Sequence, residues 1–325
     1  MENKKFNWAV IGSGNIANSV CRQLFKSEKH AIATCYSRNK QTRDAFAEKF
    51  GAKSCATMAE ALEDSTVDGI YIASPHGVHY EHVIEALDYN LPILCEKAFT
   101  LNAKETQLIL AKAQEHNTFI AEAIWMFFNP TIKRAQEWID SGVIGKVTKI
   151  EANFSMPFFK AFTSKRIWLN SAGAGALLDI GIYTLAFGYL FSGKSNPTSI
   201  SGKMKIENTI DVRDDMNVVF GDIPCHLKCS MKWLSGRATI TCEQGRIVLN
   251  RFHVPTSARL YKGCKRIEKH KAHGGYLHEF NSIVADIESG KKESHIVTQK
   301  DTLTLMHTMD EIRRQGGLKY ETELK

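Results

Sequence analysis

A carboxylate and an ammonium group follow one another at the end of a predicted buried strand, in the run Leu94-Cys95-Glu96-Lys97. Charged groups are costly to bury, so this pair requires an explanation. A lysine acts as a general base when its ordinary pKa of about 10.4 is lowered towards neutrality, and partial burial lowers it. The alternative is an ordinary ion pair between Lys97 and Glu96 or another carboxylate. The run therefore indicates either proton transfer at Lys97 or a structural ion pair.

A glycine-rich turn, Gly12-Ser13-Gly14-Asn15-Ile16-Ala17, follows the first predicted strand. Its spacing fits the dinucleotide fingerprint, in which the first glycine permits a tight turn and the second lets the backbone approach a pyrophosphate. The small Ala17 allows the next helix to pack closely on the strand, and that helix offers its N–H groups to phosphates. We expect the first five residues of the turn to contact a dinucleotide. Parallel strands would bring Lys97 to the same sheet edge.

The end of the second predicted strand distinguishes between the two nicotinamide dinucleotides. NAD sites usually carry an acidic residue here for the ribose diol, whereas this chain reads Tyr36-Ser37-Arg38-Asn39-Lys40. Ser37 and Arg38 could receive a 2′-phosphate, and Arg38 could also stack on adenine. The alternative is an ordinary polar loop, because arginine and lysine are usually exposed. The sequence predicts NADP(H), with NAD(H) as the second choice.

A second pair of reactive side chains, Asp179 and Tyr183, lies in an apolar stretch far downstream. They are four residues apart, so on a predicted helix over residues 175–191 they share one face. An acid in so apolar a helix is costly unless it faces a site. If Asp179 lies close to Lys97 it raises the lysine pKa, which favours a Lys97–Tyr183 relay over lysine alone as the base.

Three histidines, His76, His79 and His82, form an HxxHxxH run. Spacings of three and six place side chains on one helical face less well than a spacing of four, and no carboxylate or cysteine partner is signalled nearby. We therefore expect no metal site. His76 is expected to line the nicotinamide cleft, and His79 to cap or pack the following helix.

The elements that must position these residues follow from hydrophobic periodicity. Up to about residue 125, candidate strands (7–11, 31–36, 69–74, 92–95, 118–123) alternate with candidate helices (43–50, 80–88, 104–115). Such alternation predicts a doubly wound parallel sheet. Beyond residue 130, helices over 131–140, 175–191, 277–289 and 300–315 accompany a strand over 146–154 and successive strands over 200–261. The fold class is predicted as α/β, with a Rossmann domain over residues 1–125 and an α+β domain with a largely antiparallel sheet over residues 126–325.

Length and composition fit a cytoplasmic globular protein with two sizeable cores. The chain has 325 residues, of which 43% are apolar and 24% charged. No secretory signal is expected before the first strand, and the apolar run over 176–191 is expected to fall short of a membrane span. Eight scattered cysteines predict reduced thiols. A net charge of +7 would attract an anionic cofactor, and the basic segment 262–271 predicts a solvated hairpin rather than a nucleic-acid surface.

Four motifs resemble, in their order, those of the glucose–fructose oxidoreductase/inositol dehydrogenase family: the glycine turn, Ala73-Ser74-Pro75-His76 with His79, Glu96-Lys97, and Gly175-Ala176-Leu177-Leu178-Asp179-Ile180-Gly181-Ile182-Tyr183. The resemblance spans nearly the whole chain. Glu122-Ala123-x-Trp125 and Tyr183 are most similar to the dihydrodiol dehydrogenase-like branch. Two positions depart from the pattern. Ala98 replaces a usual proline, so a tertiary amide that could fix the backbone is missing, and Phe127 replaces an arginine that could orient substrate or cofactor.

The resemblance implies a Rossmann domain, a second domain whose open sheet mediates dimerisation, and NAD(P)-dependent chemistry at a hydroxyl or carbonyl. It implies a catalytic set of Lys97, Asp179 and Tyr183, in which Tyr183 gives or relays a proton and Asp179 binds a substrate hydroxyl. Further cofactor contacts are expected at Ser74, Pro75, His76, His79 and Glu96. Further substrate contacts are expected at Trp125, Arg166 and Asn170.

These features together predict an NADP(H)-dependent oxidoreductase acting on a cyclic polyol, a sugar or a trans-dihydrodiol-like substrate. We expect a homodimer or higher homo-oligomer, with no nucleic-acid or membrane partner. The alternative is a non-catalytic regulatory protein that senses a dinucleotide on the same fold. The joint presence of Lys97, Asp179 and Tyr183 argues against the sensor, because a sensor needs no acid–base set.

Overall fold

The computed structural model describes residues 4–158 and 165–323 of the chain. Its strands, in chain order, are β1 Phe6–Ile11, β2 His30–Tyr36, β3 Lys53–Cys55, β4 Gly69–Ile72, β5 Ile93–Glu96, β6 Ile120–Ala123, β7 Val147–Ser155, β8 Pro197–Glu207, β9 Ile210–Phe220, β10 Ile223–Ser230, β11 Ser235–Cys242, β12 Gly245–Asn250, β13 Ser257–Lys262 and β14 Lys265–Lys271. Its α-helices are α1 Asn15–Leu24, α2 Lys40–Phe50, α3 Met58–Leu62, α4 His79–Leu87, α5 Ala103–Glu115, α6 Pro130–Asp140, α7 Ile182–Phe191, α8 Leu277–Glu288 and α9 Gln299–Gly316.

The chain forms two compact units that are not continuous in sequence. The first contains Met1–Thr100, Lys104–Ile124 and Gly275–Gln299, and the second contains Leu101–Ala103, Trp125–Gly274 and Lys300–Lys325. A single division after residue 125 therefore misplaces the segment that carries α8. The physical reason is the fully buried ring of Phe280, whose centroid lies 5.0 Å from that of Trp8 and 5.2 Å from that of Tyr71. Aromatic burial of this kind holds α8 in the first unit.

The first unit contains a six-stranded sheet in the order β3-β2-β1-β4-β5-β6. Every pair in it is parallel, which confirms the predicted doubly wound sheet. Side chains cap the starts of two helices: Asn39 accepts a hydrogen bond from the Thr42 N–H of α2, and Thr57 accepts one from the Glu60 N–H of α3. β3 and α3, with three and five residues, were not predicted because such short elements carry no clear periodicity.

The second unit contains an eight-stranded sheet in the order β14-β13-β12-β11-β7-β10-β9-β8. Only β7 and β10 pair in parallel, so the sheet is largely antiparallel, as predicted. All ten residues of α7 are buried, and the helix packs on β7 and β10. A helix that is apolar on all sides is expected in a protein core. The basic segment forms the predicted hairpin, with Lys262 and Lys265 paired across a turn.

The apolar stretch before α7 differs from the predicted regular helix. A π-helical turn spans Leu177–Gly181, where the Ile182 N–H reaches the carbonyl of Leu177, five residues earlier. The helical stretch Asn170–Phe191 is long and apolar enough to cross a bilayer by length and composition, contrary to the expectation that it falls short. Its most apolar window is 94% buried inside the protein, which is typical of a core helix.

All eight cysteines are present as thiols, and seven of them are buried. Burial raises the pKa of Cys225 and of Cys242 to about 11. Thiols in this state are poor nucleophiles at neutral pH. The seven buried cysteines therefore act as small core residues.

Candidate functional site

The glycine turn lies at the carboxyl ends of β1, β2 and β4. The Gly12 N–H donates to the carbonyl of Tyr36 at 2.8 Å, and Gly12 has a φ of +113°. A Cβ at this residue would lie 2.6 Å from the carbonyl oxygen of Ala73. Both the left-handed backbone and this close approach require glycine.

Gly14 has a different reason to be glycine. It is the residue before α1, and no side chain caps that helix start. Apart from its two neighbours in the chain, no atom of the described residues would lie within 4 Å of a Cβ built on Gly14. The protein therefore leaves this space open beside an uncapped helix N-terminus, whose N–H groups and dipole favour an anion. This observation shows that the residues present fit the pyrophosphate of a dinucleotide.

Arg38 is exposed just after β2 ends, and the backbone of the preceding residue, Ser37, is bound by a buried arginine. The buried guanidinium of Arg43 donates to the carbonyl of Ser37 at 3.4 Å and to the Ser54 hydroxyl at 3.0 Å. Ser13 of the glycine turn donates to the hydroxyl of Thr42 in α2 at 3.1 Å. Sequence reasoning missed Arg43, because nothing in a helical pattern distinguishes a buried arginine from an exposed one.

The ring nitrogens of the three histidines in the HxxHxxH run contact oxygen atoms of the protein. His76 Nε2 lies 3.1 Å from the carbonyl oxygen of Lys97, and His82 Nδ1 lies 3.0 Å from the Ser74 hydroxyl. Burial and then the charge of Arg38 lower the pKa of His82. Among the residues that the structure describes, no group of three or more histidine, cysteine or acidic side chains is arranged to hold a metal ion.

His79 is fully buried and spans two backbone segments. Its Nε2 lies 2.8 Å from the Ser74 carbonyl, and its Nδ1 lies 3.1 Å and 3.2 Å from the carbonyls of Ala98 and Phe99. Burial lowers the pKa of His79 to about 3, against the opposing effect of these carbonyls, so the ring is neutral and donates on one side at a time. His79 therefore connects the turn after β4, at Ser74, with the segment Ala98-Phe99 that follows Lys97.

Lys97 is half-buried at the end of β5, and its peptide bond to Ala98 is cis. Beneath it, the buried carboxylate of Glu96 accepts the Tyr71 hydroxyl at 2.6 Å. Burial raises the pKa of Glu96, although Tyr71 and the Lys97 charge lower it. Glu96 therefore belongs to the buried layer below the sheet edge, where the buried Glu279 of α8 also has a pKa well above its ordinary value because of burial.

Tyr183 lies in the first turn of α7, within a group of aromatic rings in the second unit. The Trp125 indole N–H donates to the Tyr183 hydroxyl oxygen at 2.8 Å. The rings of Phe154 and His253 stack on one another at 3.7 Å, with centroids 5.7 Å and 6.1 Å from that of Tyr183. An N–H donor on a phenolic oxygen stabilises the negative charge that forms when the hydroxyl gives up its proton.

Asp179 lies in the π-helical turn, with its side chain 11% exposed. Its Oδ1 is 3.5 Å from the Arg166 guanidinium, so the two expected substrate contacts are neighbours. Asn170 has a structural role instead. Its amide nitrogen donates to the carbonyls of Thr209 at 2.7 Å and Lys319 at 2.8 Å, which uses both hydrogens.

The expected site residues thus form two groups, each within its own unit. In the first unit the glycine turn, Arg38, the histidine run and Lys97 follow the carboxyl ends of parallel strands. In the second unit Trp125 contacts Tyr183, and Arg166 contacts Asp179. The arrangement provides open space for a phosphate beside a helix N-terminus, a lysine after the end of a strand, and a tyrosine oxygen that accepts an indole N–H.

Comparison with known families gives two matches that follow one another along the chain. Residues 6–123 match the GFO_IDH_MocA model, described as an oxidoreductase family with an NAD-binding Rossmann fold. Residues 132–248 match the GFO/IDH/MocA C-terminal domain.

Individual relatives match over almost the whole chain. A mouse trans-1,2-dihydrobenzene-1,2-diol dehydrogenase is 28% identical, covering 96% of this chain and 97% of its own. A scyllo-inositol 2-dehydrogenase (NADP(+)) from Bacillus subtilis is 26% identical, covering 97% and 98%. A solved structure, a 3-ketoreductase from Actinomadura kijaniata in complex with NADP and TDP-benzene, is 21% identical, with a TM-score of 0.88 and coverage of 96% and 98%. The structural likeness shows a shared fold.

Proposed function

This chain belongs to the GFO/IDH/MocA family of oxidoreductases, and from that premise we propose that it is an NADP(H)-dependent enzyme acting on a ring-shaped polyol, sugar or trans-dihydrodiol. The reaction transfers a hydride between the cofactor and the carbon of a hydroxyl or carbonyl group, while a proton passes between the oxygen of that group and the protein. The observation that carries the proposal is the hydrogen bond from Trp125 to the hydroxyl oxygen of Tyr183. A regulatory dinucleotide sensor transfers no proton and does not need a tyrosine whose phenolate is stabilised by an N–H donor.

In the proposed reduction, the Tyr183 hydroxyl gives its proton to the substrate oxygen as the carbonyl becomes an alkoxide. The cofactor, when bound, supplies the hydride, so the carbonyl carbon gains two electrons and the nicotinamide is oxidised. The Trp125 N–H stabilises the phenolate left on Tyr183, and the Lys97 ammonium restores its proton. Oxidation runs these steps in reverse. Asp179, next to Arg166, accepts a hydrogen bond from a second substrate hydroxyl.

The substrate class is supported by the aromatic rings beside Tyr183. The rings of Phe154 and His253 lie beside the ring of Tyr183, while Asp179 adds a polar acceptor on the preceding turn. A ring with an apolar face and adjacent hydroxyls satisfies both kinds of surface. The dehydrogenases similar to this chain are named for such compounds, a dihydrobenzene-diol and an inositol.

The test is a panel assay on purified protein. NADPH or NADP+ would be mixed with inositols, pyranoses, their keto forms and trans-diols, and absorbance of the reduced nicotinamide would be followed. Turnover of a cyclic polyhydroxyl compound is expected. Tight NADPH binding with no turnover across the panel would favour the sensor and end the proposal.

NADP(H) is proposed as the preferred cofactor because Arg38 lies exposed at the end of β2, where no carboxylate is present before Asp44. Arg38→Ala is expected to lower kcat/KM with NADPH by roughly ten- to a hundredfold, since a hydrogen-bonded pair between charged groups contributes about 1.5–3 kcal/mol. The value with NADH should change by less than about twofold. Steady-state kinetics with both cofactors, using Arg22→Ala on the exposed side of α1 as control, measure this. An unchanged ratio of the two cofactors would remove Arg38 from the 2′-phosphate site.

Assembly and compartment are further parts of the proposal. We propose a homodimer formed through the second unit's sheet, supported by a sheet whose β9 alternates buried residues with exposed Arg213 and Asn217. Eight thiols without a disulfide support a reducing compartment such as the cytoplasm. Sedimentation equilibrium should give twice the 36.5 kDa chain mass, and a 36.5 kDa species at micromolar concentration would contradict the dimer.

A further inference from the structure

Two buried aspartates on β9, Asp211 and Asp214, lie directly against the π-helical turn that carries Asp179. Both have no exposed surface. Alternation along a strand would put residues three apart on opposite faces. The pairing of β8 with β9 skips Val212, because Lys205 pairs with Arg213 and Ile206 with Asp211. This β-bulge turns Asp211 to the same side as Asp214, and such bulges often re-aim a side chain next to a site.

Asp211 holds the start of the π-helical turn. Its Oδ2 accepts the backbone N–H of Leu177, the first residue of that turn, at 2.6 Å. The carboxylate approaches so closely that a Cβ on Gly175 would overlap its Oδ1. Gly175, with a φ of +136°, therefore leaves space for Asp211.

Asp214 supports the end of the same turn through a thiol. The Cys229 Sγ of β10 donates to Asp214 Oδ2 at 3.0 Å. The same sulfur would lie 3.0 Å from a Cβ added at Gly181, the last residue of the turn, so this glycine leaves space for the thiol. Asp211 thus binds the start of the segment that presents Asp179 and leads into Tyr183, and the thiol held by Asp214 lies beside the last residue of that turn.

The remaining oxygen of each carboxyl, Oδ1, is buried and receives no hydrogen bond from any residue in the described part of the chain. Two buried carboxylates side by side repel one another, whereas a proton on one of them removes the repulsion and supplies a missing donor. We propose, on the basis of the function proposed above, that Asp211 and Asp214 share one proton and act as positioning residues for Asp179 and Tyr183.

The surroundings indicate which carboxyl keeps the proton. Burial, and then the Asp211 charge, raise the pKa of Asp214 well above its ordinary value. Burial also raises the pKa of Asp211, but a proton on Asp214 and then the Leu177 N–H lower it, and the charge of Asp179 raises it least. The other titratable groups that face the pair are Cys229 and Tyr320, and burial raises the pKa of both. Arg313 offsets part of the shift at Tyr320. Asp214 therefore carries the proton and Asp211 the charge.

The sign of the pH dependence follows from this assignment. A carboxyl whose folded pKa is raised binds its proton more tightly in the folded than in the unfolded state. The contribution of this carboxyl to the free energy of unfolding is therefore fully present below the ordinary aspartate pKa of about 3.9. It is lost as the pH rises through the raised pKa of the folded protein. Once the proton is lost, repulsion between the two carboxylates loosens the π-helical turn. We expect kcat to fall on the alkaline side for this reason.

Two substitutions should move this alkaline fall in opposite directions. Asp214→Asn keeps the shape of the side chain and a hydrogen-bond donor but cannot ionise. The pH at which kcat falls should therefore increase by at least one unit. Cys229→Ser replaces a weak donor by a stronger one, which favours the charged form of Asp214 and should move the fall downward. The melting temperature of the wild-type protein should decrease with rising pH more steeply than that of Asp214→Asn.

A separate substitution tests positioning. Asp211→Ala removes the acceptor of the Leu177 N–H and should lower kcat by about tenfold or more. Asp211→Asn should recover part of the loss, because its amide oxygen still accepts that bond. Affinity for NADPH should be unchanged, since the glycine turn belongs to the first unit.

Asp301→Asn is the matched control, because Asp301 is a buried acid of the same unit that accepts the Tyr189 hydroxyl at 2.9 Å. It should lower the melting temperature without moving the alkaline fall. Unchanged alkaline behaviour in both Asp214→Asn and Cys229→Ser, with parallel melting curves, would overturn the shared proton. If the wild-type protein shows no turnover, the function fails, while the melting curves still decide the state of the pair.

Discussion

Replacing Lys97 with methionine is expected to lower kcat by roughly a hundredfold to ten-thousandfold, the usual range for losing a proton-transfer group. Methionine keeps most of the length and apolar stem of lysine, so the half-buried side chain should still pack at the end of β5. Only the ammonium group disappears. The measurement is kcat at saturating substrate and NADPH, with the dissociation constant of NADPH determined separately to confirm an intact first unit.

Lys112→Met is the control for this substitution. Lys112 is also a partly exposed lysine of the first unit, but it lies on α5 and donates to the carbonyl of Ile84 at 2.9 Å and to Asp88. Its replacement should leave kcat within about twofold, as for most surface positions. If Lys97→Met turns over like the wild-type protein, Lys97 has the structural ion-pair role that its sequence context also allowed.

Replacing Tyr183 with phenylalanine is expected to lower kcat by a comparable factor, roughly a hundredfold or more. Phenylalanine preserves the ring contacts with Phe154 and His253 and removes only the hydroxyl that Trp125 contacts. The substrate KM should change less than kcat, because the missing interaction forms mainly while the proton is transferred. Steady-state kinetics across pH 5–10 would record both parameters.

Tyr189→Phe separates this effect from the general loss of a buried hydroxyl. Tyr189 lies on the same helix, and its hydroxyl donates to Asp301 at 2.9 Å. We expect lower stability with little change in kcat. The double variant Lys97→Met/Tyr183→Phe should be hardly slower than either single variant if the two residues form one relay. Fully multiplicative losses would mean independent roles, and normal turnover of Tyr183→Phe would exclude the tyrosine.

Much of the fold could be predicted because long elements carry their own periodicity. β1, α2 and α6 were located to within a few residues, since their apolar positions repeat over a whole element. The glycine turn was recognisable because its small residues have fixed spacing, and the close approach of Gly12 to Ala73 shows why the first of them is glycine.

Other features could not be predicted because they depend on partners distant in the chain. The pattern of α8 is that of any amphipathic helix, and only the buried Phe280 shows that it belongs to the first unit. The bulge at Val212 changes which side chains share a face of β9. A prediction that assumes strict alternation of side chains along a strand cannot detect it. Asn170 resembled a loop residue available to substrate, whereas its amide binds the carbonyls of Thr209 and Lys319.

The contribution of α8 to the first unit has a consequence for the order of events during synthesis. Domains usually fold as they leave the ribosome, with the N-terminal domain first. Here Trp8 lacks the ring of Phe280, and Gln23 lacks the Tyr276 N–H that it accepts at 2.9 Å, until the chain has been made past residue 280. A nascent chain of 125 residues therefore exposes an apolar side of its sheet. We therefore expect the first unit to complete its core only after most of the polypeptide has been translated.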